Sequence, residues 1–374
     1  MSEIVRSLEP RSLGMVPTRA CPPRRCRAAW VVSVLTLVAL CLQADRVGAV
    51  TCMPWSGATS LQSALDQNVC TEIQPGVYTV NAYLLITDGH TLQGNPTQPR
   101  DTMVVKPGGL WNGNGFEGVI NGTQPPHAAR SVLRHFTVDG SGLSTGGAGA
   151  SDMIVDDMTI RGGRCWGVAI VGPNMTVANS LITANGADPS CPSPPGAGIY
   201  VAANQAAYGD YAPKIRDNEI AGNTGPGVDI YNVWRGDLTS NNIHDNSGWA
   251  GVSLLGSYWA IASNTISHPM TGSGQPWIPS CSTGPSGSRP TAIFLCRDTA
   301  ASGLTTAYNT ITGNSASSFY GILLIGNDDK GSSAVPQNNT LSGNTLTASI
   351  QCADDNKRTG PTANAWVGCQ PVYF

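Results

Sequence analysis

Charge is the scarcest ingredient of this sequence. Only 12% of its 374 residues are Asp, Glu, Lys or Arg, and the basic ones form no stripe, which excludes nucleic acid as a natural partner. No apolar run reaches the roughly 20 residues that a membrane-spanning helix needs. Cys-x-x-Cys pairs and nearby clusters of His are also missing, which argues against a zinc-built core. Helical periodicity is absent over most of the chain, so bundles and α/β folds are disfavoured. A hydrophobic content of 41% nevertheless excludes a disordered chain.

Glycine is what the chain has in excess, with 44 residues. Together with frequent Asn, Thr and Ser, it predicts an all-β protein that turns every few residues. The first 49 residues stand apart. Arg19, Arg24, Arg25 and Arg27 precede the apolar run from Ala28 to Leu42, and the small residues Gly48 and Ala49 follow. This is the layout of a secretory signal cleaved near Ala49, with Met15 as an alternative start. Residues 1–49 are then a signal peptide and 50–374 a mature, secreted, extracellular domain with no membrane attachment. The mature part carries 14 Lys+Arg against 21 Asp+Glu, a net charge of −7. It also holds eight cysteines, an even number that suits an exported, disulfide-bonded chain. Sequential pairing predicts Cys52–Cys70, Cys165–Cys191, Cys281–Cys296 and Cys352–Cys369.

A short pattern recurs: Asn, any residue, then Ile or Leu. It reads Asn218-Glu219-Ile220, Asn241-Asn242-Ile243, Asn264-Thr265-Ile266, Asn309-Thr310-Ile311 and Asn344-Thr345-Leu346, with a weaker copy at Asn179-Ser180-Leu181. The first three copies are 23 residues apart. A second strand follows each, as in Gly198-Ile199-Tyr200-Val201, Gly227-Val228-Asp229-Ile230 and Gly251-Val252-Ser253-Leu254. Alternating apolar positions mark half-buried strands. Strands this short cannot bury a face alone, and stacking coils of about 23 residues supplies the missing cover. Asn suits the corner of such a coil. It tolerates left-handed backbone angles, bonds to backbone groups and can pair with its counterpart one coil away. These asparagines are read as structural, and all five triplets are expected in one column. Leucine-rich repeats have a similar period of about 20–29 residues, but their multi-Leu signature is missing, and propellers need longer repeats.

The start of the mature chain adds Leu61-Gln62-Ser63-Ala64-Leu65, then Ile73-Gln74-Pro75-Gly76-Val77-Tyr78, and later Thr91-Leu92-Gln93-Gly94. With the Asn repeat, this order resembles the pectin-lyase-like, right-handed parallel β-helix superfamily over about residues 51 to 350. The resemblance implies a single right-handed parallel β-helix solenoid, opened by a short capping helix at Leu61–Leu65. The Gly-rich run Ser141–Ser151 is expected as an exposed loop, 270–291 as a loop excursion, and 351–374 as a cap on the open end. The superfamily contains lyases, hydrolases, esterases, epimerases, phage spikes and adhesins, so the fold does not choose an activity.

Stacking places equivalent residues in rows. The outward row after the recurrent Val or Ile is Ala169, Tyr200, Asp229, Ser253, Phe294 and Leu323, and Asp229 is its only charge. Two residues on come Val171, Ala202, Tyr231, Leu255, Cys296 and Ile325. Beyond these strands gather Asn204, Trp234, Arg235, Asp237, Trp259, Arg297, Asp298, Asp328, Asp329 and Lys330, expected along one side of a groove. Tyr200, Tyr231, Trp234 and Trp259 would offer faces for sugar rings, and Arg297 would hold a carboxylate. Asp229, Arg235, Asp298, Asp328 and Lys330 are the catalytic candidates. A lyase needs a base (Arg235 or Lys330) and a neutralised uronic carboxylate. A glycoside hydrolase needs two carboxylates, such as Asp229 with Asp298 or Asp328, about 5–9 Å apart. Calcium is the one cofactor these acids suggest. The plainer reading makes Asp229 a solvated outer-wall residue and the rest loop residues. The polygalacturonase motif set and the epimerase Asp-Pro-His-Glu are absent. The expectation is a secreted polysaccharide-cleaving enzyme, lyase before hydrolase, with a non-catalytic carbohydrate-binding or adhesin β-helix as the alternative. The sequence leaves the oligomeric state open.

Overall fold

A computed structural model describes residues 51–111, 118–122, 129–186, 188, 191, 196–203, 209–268, 290–296, 306–325, 336–354 and 363–373. Their strands pair in parallel, each with its counterpart one coil away. Each coil has three walls. The first runs from Met53–Trp55 to Ala365–Val367, the second starts at Gly76–Val80, and the third runs from Leu84–Ile86 to Val372–Tyr373. The expected solenoid is therefore present, and so is its opening helix, Leu61–Gln67. Ser60 caps that helix by accepting a hydrogen bond from the Ser63 N–H at 3.1 Å, which satisfies one of the donors a helix start leaves open. The helix buries Leu61, Ala64 and Leu65.

The interior is built from the alternation seen in the sequence. Leu133, Val155, Val177, Ile215, Leu238 and Ile261 stack in register on the first wall. Val138, Ile160, Ile182, Ile220, Ile243 and Ile266 do so on the second. Val168, Ile199, Val228, Val252, Ile293 and Ile322 do so on the third. All are buried. Truncating any one of them leaves a cavity that its neighbours above and below cannot fill, at a cost of about 2–5 kcal/mol.

Corners rather than strands hold the polar order. Asn218, Asn241, Asn264, Asn314 and Asn344 form one ladder between the first and second walls. Asn241 shows the unit: its Oδ1 accepts from the Asn218 backbone N–H at 3.0 Å and from Asn218 Nδ2 at 2.9 Å, while its own Nδ2 donates to Ile215 O, Thr239 O and Asn264 Oδ1. Two expectations are corrected here. Asn309 belongs to a different ladder, bonded to Asn339 at 2.9 Å, because Ile311 aligns with Ile261 on the first wall. Asn314 takes the place expected for Asn309. The left-handed residue is also not the ladder Asn but the one before it: Asp217 (φ 57°), Ser240 (φ 57°), Ser263 (φ 57°), Gly313 and Gly343 (φ 63°). Asn179 is such a residue (φ 51°), and Ser180 fills the ladder position by donating its N–H to Asn218 Oδ1 at 3.0 Å.

The Gly-rich run Ser141–Ser151 is not an exposed loop. Gly146–Ala150 is a strand of the third wall, paired with Gly118–Gly122 and Trp166–Ile170. Its glycines are there for space: a Cβ on Gly147 would stand 2.3 Å from Ile160 Cγ2, and one on Gly146 2.6 Å from Trp166 Cδ1. Residues 363–373, in the expected cap, extend the stack with Leu341 beside Trp366 and Ala353 beside Val372. Of the expected disulfides, Cys52–Cys70, Cys165–Cys191 and Cys352–Cys369 are formed. Cys296 is disulfide-bonded as well; Cys281 and most of the 270–291 excursion lie outside the described residues. No helix among the described residues is long and apolar enough to cross a membrane.

Candidate functional site

The third wall is unusual because its outer face is covered too. Two apolar clusters lie on it. One gathers Cys165, Trp166, Ala169, Ala197, Tyr200 and Ala202, and the other Ala250, Phe294, Cys296, Tyr320, Leu323 and Ala353. From the first cluster the row continues with the step Tyr200–Asp229–Ser253, three partners in register on successive coils. Adjacent coils place such residues about 4.8 Å apart. The ring of Tyr200 stacks on Trp166 with centroids 5.4 Å apart.

Asp229 is only 4% exposed. Burial pushes its carboxyl up to about 7, opposed only in part by a hydrogen bond with Ser253. Its Oδ2 has no hydrogen-bond partner. Three residues on, Asn232 is buried at a left-handed corner (φ 64°) with its Oδ1 likewise unpartnered. Orphaned buried acceptors of this kind cost about 1–3 kcal/mol each, so they call for a purpose. Burial, with the charge of Asp229 beside it, also raises the Tyr200 phenol and keeps it a proton donor at any physiological pH. A carboxyl raised toward neutrality, with a protonated phenol in register on the next coil, can exchange protons with a bound molecule in both directions. The solvated-wall reading of Asp229 does not hold: it points outward, as the alternation requires, yet it is buried.

The remaining predicted residues scatter. Tyr231 is half-buried at the edge of the first cluster. Trp234 and Arg235 are exposed beyond the corner at Asn232, and Asp237 lies on the outer face of the first wall. Trp259 is a correction. It is 1% exposed and points into the solenoid, where its indole N–H donates to Val233 O at 2.9 Å. It fills the space left by Gly236, whose Cβ would lie 2.5 Å from the ring, and so it is core and not a sugar platform. Asn204, Arg297, Asp298, Asp328, Asp329 and Lys330 lie outside the described residues. Trp234, Tyr258 and Tyr308 make an exposed aromatic corner on successive coils. Tyr258 and Tyr308 stack on each other at 5.1 Å with planes 10° apart, so each spends one face on the other. Of the histidines, His244 bonds Asp245 and Glu219 at a corner, and His268 is buried. No group of three or more His, Cys, Asp or Glu suited to a metal occurs among the described residues.

Sequence reasoning missed Asn232, and it missed Arg130, Thr176, Lys214 and Arg216, which meet on the outer face of the first wall. The signal for the last two was present: Lys214 and Arg216 alternate with the inward Ile215 on one short strand.

A family model for the right-handed β-helix region matches residues 166–360. No curated protein matches the sequence. Among solved structures, ORF18 of Geobacillus virus E2 superposes with a TM-score of 0.57 at 13% identity, over 83% of this chain and 56% of that one. The enzymatically active domain of tailspike protein 2 from bacteriophage CBA120 superposes with a TM-score of 0.52 at 10% identity, over 78% of this chain and 41% of that one. The chain thus spans about half the length of these two structures.

Proposed function

The chain belongs to the right-handed β-helix family, and within that frame we propose that it is a secreted, carbohydrate-active enzyme: a polysaccharide lyase acting on a uronic-acid-containing glycan. The observation that carries this reading is the Tyr200–Asp229 step. β-Elimination needs a base for the proton next to the uronic carboxylate and an acid for the departing glycosidic oxygen. Asp229, with its carboxyl near 7, takes the first role. Tyr200, held protonated on the neighbouring coil, takes the second. The base is thus assigned to Asp229 rather than to Arg235, which lies beyond the Asn232 corner. Disulfides support an oxidising, extracellular location, as does the leader of residues 1–49. An enzymatic reading is also in keeping with the tailspike likeness, whose name records an enzymatically active domain.

A glycoside hydrolase is the second reading, because a carboxyl raised by burial is also a good general acid. It requires a second carboxylate near Asp229, and the row neighbours of Asp229 are Tyr200 and Ser253. The deciding experiment incubates the purified protein with uronic and neutral polysaccharides, with and without calcium. The unsaturated-uronate ultraviolet band is expected, and it should vanish in Asp229→Asn. New reducing ends without that band make the chain a hydrolase. Binding without cleavage makes it a carbohydrate-binding wall protein, and full activity in Asp229→Asn removes Asp229 from the site.

A further inference from the structure

The first wall carries on its outer face a cleft of about 470 Å³ that the Tyr200–Asp229 step does not use. Its floor is Ile154, Thr176 and Ala178. The small side chains of Thr176 and Ala178 stand in register with Lys214 and Arg216 one coil above, so two long cations overhang two short residues, and the step between them is the recess. Arg130 closes it from the other side. Its guanidinium is pinned by donating to Thr176 Oγ1 at 2.7 Å and Met153 O at 3.3 Å, while its buried Nε has no partner. The Lys214 side chain makes no hydrogen bond or ion pair among the described residues, and Arg216 pairs with Asp217 at 3.7 Å.

Three cations therefore converge in a stretch, residues 50–374, whose formal charge is −7, and the Lys214 ammonium is without a partner among the described residues. Pure anion capture is not the whole chemistry, because Asp156, Asp237 and Asn179 share the rim. Asp156 is oriented by Asn179 Nδ2 at 2.7 Å. Carboxylates repel sulfate or phosphate but accept hydrogen bonds from hydroxyls. A ligand that satisfies both halves has one carboxylate for Lys214, Arg216 and the Arg130 Nε–H, and several hydroxyls for Asp156, Asp237 and Asn179. We propose that this cleft is a second glycan-binding site, separate from the Asp229 row, that takes a uronic-acid unit of an acidic polysaccharide. It would hold the polymer on the wall next to the one where cleavage is proposed. The site does not require Asp229 to be catalytic.

Calorimetric titration of the full mature chain tests this with hexagalacturonate, the same oligosaccharide with its carboxyls reduced to alcohols, and sodium sulfate. Lys214→Met/Arg216→Gln is the test variant, since both side chains are exposed and neither is in the core. Lys106→Met, on another wall, is the control. Loss of two charge-assisted contacts is expected to weaken hexagalacturonate binding by about tenfold or more. The control should match the parent, and the parent should bind the reduced oligosaccharide as weakly as the double variant does. Unchanged binding in the double variant, equal binding of the reduced sugar, or equal competition by sulfate would each overturn the proposal. Repeating the titration in Asp229→Asn separates the two sites: a variant that loses turnover but keeps this binding upholds both readings, and one that keeps turnover and binding sinks only the catalytic one.

Discussion

Replacing Asp229 by Asn should make the protein more stable, and by an amount that depends on pH. The carboxyl titrates near 7 in the fold against an ordinary value of 3.8. An acid whose folded value is raised binds its proton more tightly in the native state. Below about pH 4 both states are protonated and the group is neutral in its effect. Between about 4 and 7 the unfolded chain ionises and the folded one does not, so the native state loses ground as pH rises. Above 7 both are ionised and the loss is constant. At about 1.4 kcal/mol for each unit of pH, the full loss is about 4 kcal/mol. Asn is isosteric and never ionises, so it escapes this cost and keeps an acceptor for Ser253. Urea unfolding of both proteins at pH 4, 6 and 8 is the assay. The expected gap in favour of Asn is near zero at pH 4, intermediate at pH 6 and about 4 kcal/mol at pH 8. A gap that does not change with pH, or a variant less stable than the parent at pH 8, would refute the claim that Asp229 is buried at the expense of its charge.

Two further outcomes follow from the coil geometry. Asn241→Ala removes five hydrogen bonds from the middle of the ladder and strands buried partners on both neighbouring coils, so a loss of about 3 kcal/mol or more is expected in urea unfolding; a loss below 1 kcal/mol would show that water replaces the ladder. Gly147→Ala puts a methyl 2.3 Å from Ile160 Cγ2 and 3.0 Å from Gly167 O. It should cost about 1–3 kcal/mol, whereas Gly109→Ala, with nothing within 4 Å, should be silent; equal melting temperatures for the two variants would contradict the packing.

What could be read in advance was whatever repeats. Inward Ile, Leu and Val at fixed offsets gave the walls, because a stack rewards the same apolar choice in each coil. The disulfides Cys52–Cys70, Cys165–Cys191 and Cys352–Cys369 were legible because each closes a local loop. Asn309 was misplaced for a physical reason. Two corners of the coil need the same amide, so Asn-Thr-Ile occurs at both, and only register tells Ile311 from Ile266. Gly146–Ala150 was hidden because a strand of Gly and Ala has no side chains to alternate. Trp259 was misjudged because a large aromatic after a strand reads equally as platform or filler; Gly236, one coil below, was the clue, since only glycine leaves room for the ring.

The harder matter is why alternation named Asp229 as outward but could not say that it is dry. Alternation reports which face of a sheet a residue occupies; it carries no information on what lies over that face. On the first and second walls many outer residues are polar and exposed, as with Lys214 and Asp237 on the first and Glu219 and Asn242 on the second. The outer row of the third wall reads Ala169, Tyr200, Asp229, Ser253, Phe294 and Leu323, four of them apolar or aromatic. A wall that is apolar on both faces is buried on both, and a lone acid in such a row is desolvated by its own neighbours. The composition of that row, rather than the identity of any single residue in it, is what moves the Asp229 carboxyl toward neutrality, and the proton-transfer role proposed for Asp229 rests on that row.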